Sequence, residues 1–278
     1  MRKIYFLLAI LLFLASCEDV VEIDTPTESP RLFVDGLIRV DESSSNTNVS
    51  FQVGLTSNFF DDTQTADLEE IRITNDSYIP ENPSEDNFLD LVQSPSGRYE
   101  GSKDTDFFTN GGELVLTISF QGENYRAVTN YVPAVPIDNL IQGEGSLFSG
   151  DETEIVISFT DNGNRDDYYL FDFDFNEYLV SEDEFYQGQT FEFSYFYDDD
   201  VEAGREVEIS LLGVDETFFN YMNQVIVQAG GDQGPFQTPS ATVRGNILNI
   251  SDNSNPRENF ALGYFAVCQT FSQSITIE

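Results

Sequence analysis

Histidine and tryptophan are absent from the 278-residue chain, and cysteine occurs only twice. Without histidine, Ser-His-Asp and Cys-His catalysis and any histidine-ligated zinc site are excluded. The two cysteines, Cys17 and Cys268, sit in different settings, and Cys17 is expected to be used by the lipid anchor described below. That leaves Cys268 with no partner for an intramolecular disulfide. It lies in "GYFAVCQTF", a strand-like run where a small buried side chain is the expected role. Basic residues are scarce as well: 12 Lys and Arg stand against 50 Asp and Glu, a formal charge of −38. Nucleic-acid affinity comes largely from Lys and Arg neutralising phosphates, so a nucleic-acid partner is not expected. The same excess favours solubility and opposes close approach to bare anionic lipid.

Long apolar runs are missing too. Ile4 to Leu14, after the cationic start Met1-Arg2-Lys3, is apolar or aromatic throughout. It is shorter than the roughly 20 residues a bilayer-spanning helix needs, and it has the size of a secretory h-region. Residues 1–16 are therefore expected to be a signal peptide. Leu14-Ala15-Ser16-Cys17 resembles the bacterial lipobox, in which the cysteine thiol is acylated and becomes the first mature residue. A single acyl chain binds a membrane marginally, whereas several hold it stably. Anionic headgroups do not favour Glu18 and Asp19 beside the anchor. This acidic pair resembles the export signal that sends Bacteroidota lipoproteins to the outer face of the outer membrane. The expectation is a protein tied to that membrane through Cys17 and facing the exterior, with residues 17–30 as an acidic tether.

Low hydrophobicity with high charge can signal disorder. Here 25 Phe and 13 Tyr bring the chain to 14% aromatic and 40% hydrophobic residues, and they fall in order, which argues for a folded chain. Apolar residues alternate nearly everywhere, the mark of strands with one buried face. Leu32, Val34, Ile38 and Val40 share a side, as do Leu114, Leu116, Ile118 and Phe120. Ile155, Ile157 and Phe159 repeat the scheme, as do Val207, Ile209 and Leu211. In "YLFDFDFN", Tyr169, Phe171, Phe173 and Phe175 are expected inward, with Leu170, Asp172, Asp174 and Asn176 outward.

One segment departs from period two. Phe218, Met222, Val225, Ile226 and Ala229 recur at helical spacing after Asp215, a good N-cap, and before Gly230, a stop. A helix over 215–229 is expected, its stripe used for packing. Pro133 and Pro136 bracket an extended connector. The fold class expected is mainly β: an immunoglobulin-like β-sandwich over 31–133, then a β-rich sandwich domain over 134–278 that carries the helix.

Carboxylate pairs such as Asp61-Asp62, Asp166-Asp167 and Asp198-Asp199-Asp200 invite a glycosidase reading, but among so many acids pairs decide nothing. "DNGNRDD", Asp161 to Asp167, is rich in oxygen ligands but lacks the sixth-position Gly and closing Glu of an EF-hand loop. A β-turn is the better account. No catalytic residue, metal or cofactor is expected, and an enzyme is not expected.

Several stretches together resemble a family of Bacteroidota lipoproteins, domain of unknown function 4249. They are Cys17 followed by "VVEIDTP", then "PRLFVDGLI", "GRYEG", "GENYRA", "VPAVPID", "FFNYMNQV" and "GNILNISDNSNPRENFALGYFAV". The resemblance implies an outer-membrane lipoprotein, often encoded beside a TonB-dependent receptor, with an immunoglobulin-like first domain. It carries over no functional residue except the anchor, Cys17. The function expected is that of an accessory or binding partner of such a receptor in nutrient uptake. The alternative is a stand-alone glycan-binding or adhesion lipoprotein; a hydrolase comes third.

Overall fold

The alternation in "LFVDGLIRV" becomes strand β1 (Leu32–Val40), with Leu32, Val34, Ile38 and Val40 buried. The computed structural model describes residues 29–57, 64–81, 85–147, 150, 152–197, 201–230, 241–251 and 260–278. The signal peptide expected over 1–16, the residues Cys17, Glu18 and Asp19, and most of the tether expected over 17–30 lie outside the described residues.

After β1 come β2 (Asn46–Leu55), β3 (Gln64–Thr65), β4 (Glu70–Asn75), β5 (Phe88–Asp90), β6 (Val92–Gln93) and β7 (Arg98–Asp104). A five-residue helix, α1 (Thr105–Thr109), leads to the hairpin β8 (Leu114–Phe120) and β9 (Glu123–Thr129). Strands β1, β2, β7 and β6 form one layer, and β9, β8, β4 and β5 the other. Their inner faces share an apolar core that includes Val34, Phe51, Ile73 and Leu116. Helix α1 adds Phe107 and Phe108, whose rings meet edge to face at 4.9 Å. It was not expected, because five residues are too few to show a helical period.

The second half runs β10 (Tyr131–Val132), β11 (Ile137–Gln142), β12 (Thr153–Thr160), β13 (Tyr168–Asp172), β14 (Tyr178–Glu182), β15 (Thr190–Tyr197) and β16 (Glu206–Val214). Helix α2 (Glu216–Ala229), β17 (Leu248–Asn249) and β18 (Leu262–Thr276) complete it. The sheet β11–β12–β15 packs against β14–β13–β16–β18 around a core rich in rings. Phe159 is its hub, with ring centroids of Tyr169, Phe171 and Tyr186 at 5.3, 5.6 and 5.5 Å. Tilted and edge-to-face pairs of this kind add to simple burial. The chain is thus mainly β, two β-sandwiches with α2 on the second, as the alternation implies.

One strand belongs to both. Leu262 to Gln269 of β18 pair in parallel with β1, and Thr270 to Thr276 pair antiparallel with β16. A ten-stranded sheet therefore runs through both halves. The C-terminal segment also reaches into the first sandwich: Ile247, Ala261, Phe265 and Val267 lie in the first core, and β17 pairs with β9. Parallel pairing needs a long crossover, and the partner of β1 is the far end of the chain, which no local pattern reveals. Gly263 permits the approach. Its φ is +91°, and a Cβ there would lie 1.9 Å from the Val34 carbonyl oxygen.

Two side chains sit opposite to expectation. Strand β13 ends at Asp172, and Asp174, Phe175 and Asn176 take φ values of 65°, 49° and 64°. This left-handed turn, which Asp and Asn tolerate, leaves Phe175 40% exposed instead of inward. Leu170, expected outward, is buried because α2 covers that face. Asp215 caps α2 as expected, its Oδ1 accepting the Phe218 N–H at 2.7 Å. Phe218 is buried, Met222, Val225 and Ile226 are half-buried, and Ala229 is exposed.

Candidate functional site

Helix α2 covers only part of the outer face of the ten-stranded sheet. It rests on β13 and β14, and Leu170, Leu212, Val214 and Cys268 are buried in the cluster it caps. Beyond its edge the outer face of β1, β2 and β7 stays open, with Asp35, Arg39, Asn48 and Ser50 exposed. The step between covered and open sheet forms a groove of about 790 Å³. Small-molecule sites span roughly 300–1,000 Å³ and are mostly apolar with a few placed polar groups. Phe33, Leu37, Phe218, Met222 and Leu262 supply apolar wall.

Three rings gather at one side. Centroids of Phe218 and Tyr221 are 6.0 Å apart, those of Phe218 and Tyr264 4.7 Å, and those of Tyr221 and Tyr264 5.0 Å. Tyr264 is 6% exposed, and its hydroxyl has no hydrogen-bond partner among the described residues. It is the ladder partner of Asp35 on β1, so the two side chains share a face. Burial, and then the Asp35 carboxylate, push the Tyr221 phenol above its ordinary value. Burial also raises Tyr264 well above that range.

The charged residues of the groove are ordered by the strands. Asp35, Gln52 and Arg98 form one row across β1, β2 and β7. Arg98 donates from Nε to Ser50 Oγ at 2.7 Å and from Nη2 to the Ser50 carbonyl at 2.8 Å. Ser50 Oγ in turn donates to Glu100 Oε1 at 3.3 Å. Arg39 is paired with Asp172. The groove thus sets aromatic faces, an exposed carboxylate and a fixed guanidinium side by side, with the Ser50 hydroxyl on the Glu100 carboxylate at its edge.

The residues singled out in the sequence are placed differently. Cys17, Glu18 and Asp19, with Asp61-Asp62 and Asp198-Asp199-Asp200, lie outside the described residues. The "DNGNRDD" loop is a turn closed by the Arg165 N–H on the Asn162 carbonyl at 3.2 Å. Its carboxylates already have protein donors. Asp161 lies 2.6 Å from the Tyr169 hydroxyl and accepts the Gly188 N–H at 2.7 Å, while Asp167 takes Arg165 Nε at 2.6 and 2.7 Å. Burial raises Asp167 above its ordinary value, with Arg165 pulling the other way. Cys268 is buried beneath α2, and that burial drives its thiol well upward. Sequence reasoning missed Asp35, Arg98 and Tyr264. The signal was present only in part: Asp35 sits at an outward position of β1, but the helix that makes this face a groove comes from far along the chain.

Several solved structures are similar to the chain. Bovine butyrophilin is 12% identical, with 66% of this chain and 92% of that one covered, at a TM-score of 0.23. A Ca2+-stabilised adhesin with which an Antarctic bacterium binds ice is 10% identical, covering 69% of this chain but 46% of its own, at 0.21. Chicken CNTN1 FN1–FN3 domains are 8% identical, covering 66% and 60%, at 0.23. The chain thus spans less than half of the adhesin, and none of these proteins lends it an activity. No curated protein matches it. The family described as "Domain of unknown function (DUF4249)" matches residues 18–274, nearly the whole length, and the chain belongs to that family.

Proposed function

We propose that this protein is an outer-membrane lipoprotein, anchored through Cys17 and facing the exterior, that binds a small ligand and works beside a TonB-dependent receptor in nutrient uptake. The groove between α2 and the open half of the sheet carries the reading, because its size and its mostly apolar lining suit a small ligand. The lipobox at Leu14 to Cys17 and the acidic pair Glu18-Asp19 support the address. No helix among the described residues is long and apolar enough to cross a membrane, and an acylated cysteine would supply attachment without one.

The test is co-purification from membranes solubilised in mild detergent. A receptor barrel recovered with the tagged chain, and lost when Cys17→Ala releases the chain from membranes, is the expected result. A chain that sediments with membranes despite Cys17→Ala contradicts the anchor, and repeated recovery without a barrel contradicts the partnership.

A further inference from the structure

The groove carries an acid that nothing among the described residues neutralises. Arg39 is paired with Asp172. Arg98 is held on the Ser50 hydroxyl and carbonyl, two strands from Asp35, and makes no ion pair among the described residues. Asp35 makes neither a hydrogen bond nor an ion pair among the described residues, although it lines the groove. Next to it in the ladder stands Tyr264, with Tyr221 and Phe218 against that ring. A carboxylate beside aromatic faces is the combination that recognises ammonium groups, since the ring quadrupole and the charge attract a cation together. The field of a chain with formal charge −38 concentrates cations at its surface and opposes anions.

We infer that the groove takes an organic cation, an ammonium group on an apolar body. The ammonium sits between Asp35 and the rings of Tyr221 and Tyr264, and the apolar body lies along Leu37, Phe218 and Met222. The unpartnered Tyr264 hydroxyl offers an oxygen to an N–H donor, and Arg98, two strands away, faces the far end of the ligand. This inference rests on the groove being the binding site of the proposed function, and it adds the charge of what binds.

Calorimetric titration of the full chain in a nonionic detergent tests it with three water-soluble probes of like size: benzyltrimethylammonium, benzyl alcohol and phenylacetate. The cation is expected to bind best. Asp35→Asn should weaken it about tenfold, as expected for a lost contact with a charge, and Tyr221→Ala should weaken it further. Glu208→Gln removes the same charge from an exposed position on β16 outside the groove and should change binding less than about twofold. Equal losses in Asp35→Asn and Glu208→Gln would mean a general field effect and overturn the inference. Preference for phenylacetate, or binding of none of the three, overturns it as well. Phenylacetate binding that Leu37→Trp abolishes would leave the groove itself standing as the site, so failure of the charge assignment is separable from failure of the proposed function. Melting curves of each variant confirm that the fold is retained.

Discussion

The two halves of the ten-stranded sheet are built from the same kind of strand but written differently. In the open half, "LFVDGLIRV" alternates, with Asp35 and Arg39 outward and Val34 and Ile38 inward. In the half under α2, "ISLLGV" of β16 is buried at every position from Ile209 to Val214, and β18 is buried from Tyr264 to Cys268. Alternation reports a sheet with one wet face, and its loss reports a second cover. The helix supplies that cover, and the groove lies where it stops. The difference therefore locates the site as well as the cores.

Substitutions sharpen this contrast. The largest effect is expected at the junction: Gly263→Ala combines a left-handed φ with a collision against the Val34 backbone. It should cost about 4 kcal/mol or prevent folding, read by urea unfolding. Leu212→Ala, in the covered half, should cost about 3 kcal/mol, whereas Leu37→Ala, half-buried in the open half, should cost about 1 kcal/mol. Equal costs at the two positions would break the comparison.

Alkaline pH should weaken the protein next. Tyr169 and Tyr264 are raised from an ordinary value of 10.0, first by burial. Below that value folded and unfolded chains both keep the phenolic proton, and the contribution is fully present. Above it the unfolded chain ionises first, so stability falls as pH rises. Urea midpoints measured from about pH 8 to about pH 11 should hold and then drop past the ordinary tyrosine value. A flat profile would contradict the burial of these phenols.

Smaller effects belong to the helix edge. Asp215→Ala removes the cap of α2 and should cost about 1 kcal/mol, with helical ellipticity reduced before the sheets melt. Arg39→Gln breaks a pair whose arginine side chain is 38% exposed, and should cost less than about 1 kcal/mol, the loss shrinking further in salt.

Much of this architecture was legible in the residues. Strands β1, β8, β12 and β16, and the helix with its Asp215 cap, follow from spacing alone. Phe175 was misread because a left-handed turn at Asp174 to Asn176 interrupts an alternation that continues in the letters. Leu170 was misread because the cover over it arrives some fifty residues later. The groove was illegible for the same reason. Asp35, Arg98, Phe218 and Tyr264 come from β1, β7, α2 and β18, and only the parallel β1–β18 pairing brings them together.

The central claim is that the groove beside α2 holds a small ligand. Native mass spectrometry of the chain purified from its own cells tests this most directly, with Leu37→Trp as the variant that fills the groove. The account predicts a bound small molecule on the unaltered chain and none on the folded variant. No adduct on either, or the same adduct on both, would contradict it.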